Sequence, residues 1–284
     1  MSPLSSHEIR KAVRAALDED IGSGDVTTLA TVSPGTVARA HMVARTPLVL
    51  AGLAFAEIVF REISPRVTIR ALARDGQHVA RGARILSVTG PACALLTAER
   101  VALNFVQRLS GVASVTARYV DAVKDTGVKI LDTRKTTPGW RRFEKYAVLC
   151  GGGVNHRFGL FDLILIKDNH LAALKDGKPN PIAAAVRLAR AKFPRLKIEV
   201  EADTLRQAAD AAEAGADIIL LDNMTPRLLR QAVKVIAQRA HTEASGGVTL
   251  KTIRAIAKTG VDYISVGALT HSAPAVDIAL DFDA

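Results

Sequence analysis

The sequence predicts an α/β fold whose second half is a parallel barrel, and three observations carry that reading. Six short runs read as strands: Val128–Leu131, Leu163–Ile166, Leu196–Val200, Ile218–Leu221, His241–Ala244 and Tyr263–Val266. Helix-like stretches separate most of them, the alternation expected of a parallel sheet. Each run is followed by residues suited to a phosphorylated substrate: Thr133-Arg134-Lys135, Lys167, Glu201, Asp222, Ser245-Gly246-Gly247 and Gly267-Ala268. Side chains just past the strand ends of such a barrel converge on one face, where chemistry is done. The pattern therefore predicts an enzyme.

Size and charge narrow the class. The 284 residues suit one large domain or two ordinary ones. With 49% apolar and only 4% aromatic residues, Ala, Val, Leu and Ile must fill the core. The net charge of +10 fits either nucleic acid or a small, highly anionic substrate. Blocks of like charge are short and aromatics for base stacking are scarce, which favours the substrate. Cys93 and Cys150 form neither a metal-type nor a redox-type pair. No apolar run is long enough for a bilayer, and no apolar signal core opens the chain. A cytoplasmic protein with neither membrane nor nucleic-acid partner is expected.

Along the chain, His7 to Leu17 reads as an amphipathic helix, and residues 19–28 as a loop rich in Gly and acids. Residues 36–50 and 66–90 read as strands with turns at Asp75-Gly76 and Arg81-Gly82. Ala92 to Val120 reads as helix interrupted at Gly111, with a domain boundary near residue 112. Thr204 and Thr225-Pro226 are helix starts, Thr225 as N-cap and Pro226 at N1. Thr249 starts a further helix that stops at Gly260, and Ala275 to Ala284 has a possible return to the first domain.

The motifs past the strands carry the chemistry. Arg134 can grip a carboxylate with two parallel hydrogen bonds, Lys135 offers a point charge for phosphate, and Asp132 can hold Arg134 in place. Gly151-Gly152-Gly153 lets backbone approach a ligand, and His156-Arg157 adds donors, although His156 can equally be a packed or capping residue. Lys167 must leave the core toward the ring mouth. Glu201 and Asp222 form either a general acid/base pair or a site for Mg²⁺ and sugar hydroxyls. A glycosidase-type pair is the alternative, which the nearby cations disfavour. Ser245-Gly246-Gly247 and Gly267-Ala268 each precede a helix start, a phosphate site built from backbone N–H groups.

These residues together resemble the quinolinate phosphoribosyltransferase family over nearly the whole chain. The likeness runs from Leu17–Thr28 through Glu99-Arg100, Gln107–Gly111, Asp132–Gly139, Gly151–Arg157, Lys167–His170, Glu199–Glu201, Leu221–Asn223 and Ala244–Val248 to Ser265–Ala268. It implies an N-terminal α/β sandwich over 1–112, joined by 270–284, and an incomplete parallel α/β barrel over 113–269. It implies transfer of phosphoribosyl from phosphoribosyl pyrophosphate to quinolinate with decarboxylation, Mg²⁺ as cofactor, and at least a homodimer. Arg100 then enters the partner's site. Arg134, His156 and Arg157 surround the quinolinate carboxylates, with Thr133 beside them. Lys135 and Lys167 neutralise substrate and pyrophosphate charge, and Glu201 and Asp222 contact the ribose and its metal. Ser245, Gly246, Gly247, Gly267 and Ala268 take the 5′-phosphate. Ser114 and Leu48 depart from the family's usual Thr and Gly. A phosphoribosyltransferase for another pyridine acid, such as nicotinate, is the competing activity.

Overall fold

The computed structural model describes residues 4–283. Helix α1 (Ser6–Ile21) starts at a reciprocal cap: the Glu8 backbone N–H donates to the Ser5 hydroxyl, and the Ser5 N–H donates to the Glu8 carboxylate. Ile9, Val13 and Leu17 form its buried stripe. The acidic loop expected over 19–28 is shorter than that. Asp25 caps a second helix, α2 (Val26–Thr31), accepting from the Thr28 N–H and the Thr97 hydroxyl, each at 3.0 Å. There follow β1 (Val37–Ala44), β2 (Leu48–Val49), α3 (Leu53–Ile63), β3 (Thr68–Ala71), β4 (His78–Val79) and β5 (Arg84–Pro91). Helix α3, which buries Phe55, Val59 and Phe60, was not read from the sequence.

Helix α4 (Ala92–Val123) runs unbroken through Gly111, against the expectation of an interruption there. A Cβ at position 111 would overlap the Pro274 carbonyl oxygen. Glycine is there for a close backbone approach, not to end a helix. The Ser114 hydroxyl on this helix accepts the Val49 N–H at 2.8 Å, so Ser114 supports the segment that contains Leu48.

The rest of the chain continues with β6 (Lys129–Leu131), α5 (Arg141–Cys150), β7 (Ile164–Ile166), α6 (Asp168–Ala173), α7 (Pro181–Lys192), β8 (Ile198–Ala202) and α8 (Leu205–Glu213). It ends with β9 (Ile218–Asp222), α9 (Pro226–Ile236), β10 (His241–Ser245), α10 (Ile253–Ala257), β11 (Tyr263–Ser265), α11 (Ala268–His271) and β12 (Ile278–Phe282). Thr204 and Thr225 cap α8 and α9 through their side chains. The helix expected from Thr249 begins only at Ile253, because Thr249 and Thr252 bond each other in a preceding turn.

The chain divides into two compact units. The first holds the described residues up to Ala117, Arg142–Gly152, and those from Ser272 on; the second holds Arg118–Arg141 and Gly153–His271. In the first, an antiparallel sheet has the order β12-β1-β5-β3, so β12 lies beside β1. In the second, six parallel strands have the order β6-β11-β10-β9-β8-β7. Strand β6 closes onto β11 and leaves β6 and β7 as edges of an incomplete barrel. His241–Ala244 is no apolar run, since it buries Thr242 and Glu243. Side chains alternate faces along a strand, so Glu199 shares a face with Glu201, Leu220 with Asp222, and Glu243 with Ser245.

Candidate active site

In the second unit, a cavity of about 330 Å³ opens at the C-terminal ends of the barrel strands. Thr133, Arg134, Lys135, His156, Arg157, Lys167, Glu201, Asp222 and Ser245 all line it. Leu165, Leu220, Glu243 and Ser265, to which the sequence reading gave no role, line it too. Arg100 is exposed on α4 in the first unit and is not among the lining residues. Glu201, Asp222 and Ser245 belong to the strands themselves instead of following them.

The loop after β6 is built from its own hydroxyl and from a buried acid. The Lys135 N–H donates to the Thr133 hydroxyl at 3.0 Å, a tight turn that presents successive side chains to the cavity. Asp132 is fully buried and accepts from the Asn155 amide at 2.7 Å and the His156 N–H at 2.9 Å. It therefore ties the loop after β6 to the segment that carries His156 and Arg157. The Arg134 Nε is buried without a hydrogen-bond partner. A buried donor left unmet costs on the order of 1–3 kcal/mol, which a bound anion would recover. Burial, followed by the neighbouring Arg134 charge, holds the Arg157 guanidinium below its ordinary value.

Lys167 reaches across to Glu201, with Nζ to Oε2 at 2.7 Å. Asp222 accepts from the Asn223 side chain at 2.6 Å. These two acids and two lysines make a mixed-charge wall that can take both a phosphate and a polyol.

At the wall of the cavity His156 meets two buried acids to which the sequence reading gave no role. His156 Nε2 stands 3.0 Å from Glu199 Oε2 and 3.6 Å from Glu243 Oε2. Glu199 and Glu243 are 0% and 1% exposed. The short His156–Glu199 contact is electrostatic, not an aligned hydrogen bond, because both Glu199 oxygens lack a partner of acceptable geometry. Burial, then the Glu199 charge, pushes the Glu243 carboxyl up to about 8. The only sequence signal was an acid inside the strand, Glu199 in β8 and Glu243 in β10, where a barrel interior ordinarily carries Val, Ile or Leu.

The Gly-rich turns lie past β10 and β11. Gly246 has φ +94°, and a Cβ there would overlap the Asn223 side chain and stand 2.9 Å from the Asn223 N. The glycine thus serves the approach of two loops to one another. Gly267 leads into the four-residue α11, and the Thr270 hydroxyl donates to the Lys135 carbonyl at 2.7 Å. The turn at 267–270 is thereby fastened to the lysine loop.

Comparison with known proteins agrees with this arrangement. Residues 25–110 match the model of the N-terminal domain of quinolinate phosphoribosyl transferase, and residues 112–281 match that of its C-terminal domain. The chain is 47% identical over 278 residues to the nicotinate-nucleotide pyrophosphorylase [carboxylating] of Mycobacterium leprae, covering 96% of each. It is 43% identical over 275 residues to the probable enzyme of that name from Bacillus subtilis, covering 96% of this chain and 93% of that one. Among solved structures, NadC from Streptococcus pyogenes superposes with a TM-score of 0.94 at 42% identity over the full length of both chains. Human nicotinic acid phosphoribosyltransferase shares the fold at 14% identity, with a TM-score of 0.64 over all of this chain and 74% of that one. With both domain models matched in order and a barrel whose strand ends hold the expected cations and carboxylates, the chain belongs to the quinolinate phosphoribosyl transferase family.

Proposed function

We propose that this protein transfers phosphoribosyl from phosphoribosyl pyrophosphate to quinolinate with loss of CO₂, giving nicotinate mononucleotide and pyrophosphate, a step of NAD synthesis. One observation carries the reading: Arg134, Lys135, Arg157 and Lys167 share a single cavity with Glu201 and Asp222. Four cations are far more than a neutral sugar needs, and they suit a dicarboxylate beside a pyrophosphate. The names of the relatives support the same reaction.

The residues divide the work by charge. Arg134 and Arg157, which face one another closely enough to oppose each other's charge, are placed to hold the two carboxylates of the pyridine ring. That fixes the ring nitrogen toward the anomeric carbon. Lys135 and Lys167 stabilise the departing pyrophosphate charge. The Glu201 and Asp222 carboxylates stabilise positive charge developing on the ribose. Once the nitrogen is quaternised, the C2–carboxylate bond breaks, its electron pair stays on C2 stabilised by the ring cation, CO₂ leaves, and a proton from water takes its place at C2. No side chain acts as nucleophile. Mg²⁺ fits the donor set, since Glu201 and Asp222 are hard oxygen ligands on adjacent strands, and it would neutralise pyrophosphate charge. The 5′-phosphate is assigned to Ser245, Gly246, Gly247, Gly267 and Ala268.

Two finer points belong to the same proposal. Arg100, exposed on α4, supplies a further cation to the site of a second copy in a homodimer. The protein works in the cytoplasm, a setting that its two unpaired cysteines suit, and among the described residues no helix is long and apolar enough to cross a membrane. A coupled assay with quinolinate and phosphoribosyl pyrophosphate, following CO₂, tests the reaction. Turnover without CO₂ release, or none at all, would overturn it.

A further inference from the structure

In the His156–Glu199–Glu243 cluster, His156 and Glu243 line the cavity and Glu199 stands behind them, and the reaction as described assigns no task to either acid. Both are buried, and a buried charge without compensation is strongly unfavourable. Their ligand-type atoms lie within 4.8 Å of one another and of His156 Nε2, close enough to cage a cation. The ring argues otherwise. His156 Nδ1 accepts the backbone N–H of Arg157 at 2.7 Å, which leaves the ring proton on Nε2, facing Glu199. A protonated nitrogen is no metal ligand.

The same geometry links three residues in series. The Glu199 carboxylate, with Oε2 3.0 Å from Nε2, favours electrostatically the ring form that carries its proton on Nε2, and that form alone leaves Nδ1 free to accept the peptide N–H of Arg157. The peptide so held carries a guanidinium that lines the cavity. We propose that Glu199 is a positioning residue of the pyridine-carboxylate pocket, acting through the His156 ring on the peptide that carries Arg157. Glu243 completes the cluster as its second acid, its carboxyl pushed up by burial and then by Glu199 beside it. The link is analogous to the carboxylate–histidine pairs that fix ring orientation behind many ligands. It rests on the reading that quinolinate binds beside Arg157.

The test uses the full-length protein and two variants. Glu199→Met keeps the volume and removes the acceptor; Glu199→Gln keeps an acceptor oxygen. For Glu199→Met, KM for quinolinate should rise about tenfold or more while KM for phosphoribosyl pyrophosphate stays within about twofold, since small misplacements of a binding group are costly. Glu199→Gln should restore most of the quinolinate KM. An unchanged quinolinate KM in folded Glu199→Met, or an equal rise for both substrates, would overturn the proposal. Long-range proton–nitrogen correlation spectra of the wild type decide it without a variant. They should show the His156 proton on Nε2. A proton on Nδ1 would also overturn it. Absence of wild-type turnover sinks the reaction reading instead, and the ring measurement still decides whether Glu199 sets the ring.

Discussion

The two ends of the barrel spend charge in opposite ways. At the start of the strands, Asp217 accepts from the Ile198 N–H and from Arg190, both at 2.7 Å. Asp262 likewise accepts the Thr242 N–H at 2.7 Å and its hydroxyl at 2.8 Å. These acids fasten strand starts to one another. At the other end, Arg134 Nε and three of the oxygens of Glu199 and Glu243 have no hydrogen-bond partner. A larger cavity than the candidate site, about 610 Å³ against about 330 Å³, lies at the strand starts. Size therefore misleads in this protein. The smaller cavity holds the unmet charges, and unmet buried charge points to a ligand.

The sharpest way to break this comparison is to remove one charge from each end. Arg134→Ala should cost about 2–5 kcal/mol in transition-state binding, a fall of about 30- to 5,000-fold in kcat/KM, with little change in Tm. Asp217→Ala should do the reverse, lowering stability by about 1–3 kcal/mol while the folded enzyme keeps its kcat/KM. Kinetics and thermal denaturation of both variants check the split. Similar profiles for the two would erase the distinction between the ends.

The surplus of cations should also set substrate choice. A ligand with one carboxylate leaves a buried cation unpaired, which costs about 3–5 kcal/mol in the buried limit. Nicotinate should therefore be a far poorer substrate than quinolinate in competition assays. Comparable efficiencies would mean that the cations serve the pyrophosphate alone.

A subtler test asks whether the open end is complete in one chain. Arg100→Ala and Arg134→Ala should each be inactive by themselves. In a verified heterodimer of the two, one of the two sites should carry neither defect, so activity should return to about half of wild type. No recovery would assign Arg100 to its own subunit or to no site.

The smallest effect concerns the buried acids beside His156. Burial and the neighbouring Glu199 push the Glu243 carboxyl up to about 8 in the folded protein, against 4.5 for an ordinary glutamate. The folded form thus keeps a proton that the unfolded chain gives up. Its contribution to stability is full below about 4.5 and is lost as pH rises toward 8. Glu243→Gln cannot titrate, so its stability should fall less than that of wild type between pH 5.5 and pH 8. Parallel denaturation curves for the two proteins would show that Glu243 is not held protonated.

What was legible in the sequence follows from how each feature is encoded. The barrel strands and the cations past them could be read because a parallel strand is a short run with a definite end. Caps at Thr204 and Thr225 are local and were equally clear. Helix α3 was not, since its Phe55, Val59 and Phe60 make a short apolar segment with no side-chain cap at Gly52. Gly111 misled because the reason for it, the Pro274 carbonyl, lies far along the chain. Asp132 was expected to hold Arg134, but its bonds to the Asn155 side chain and the His156 N–H could be known only once the loops were placed. Glu199 and Glu243 were hidden by alternation, as a charged residue in a strand ordinarily faces solvent. Only barrel closure turns both inward.

Strand β12 carries a consequence for how the protein is made. It pairs with β1, and Arg45 meets Asp281 across 236 positions of sequence. The segment leading to it also lies along α4, where the Arg108 side chain donates to the Ala273 carbonyl at 2.6 Å and the Gln107 amide to the Ile278 carbonyl at 2.7 Å. A chain emerging from the ribosome at about 5–20 residues per second exposes β1 tens of seconds ahead of its partner, if domains fold as they appear. Until then the outer edge of β1 stays unpaired, a template for another strand. The first unit to be synthesised is thus among the last to be finished. A nascent chain stalled before residue 278 should be held by chaperones or cut by protease at β1, while its barrel strands have already been made.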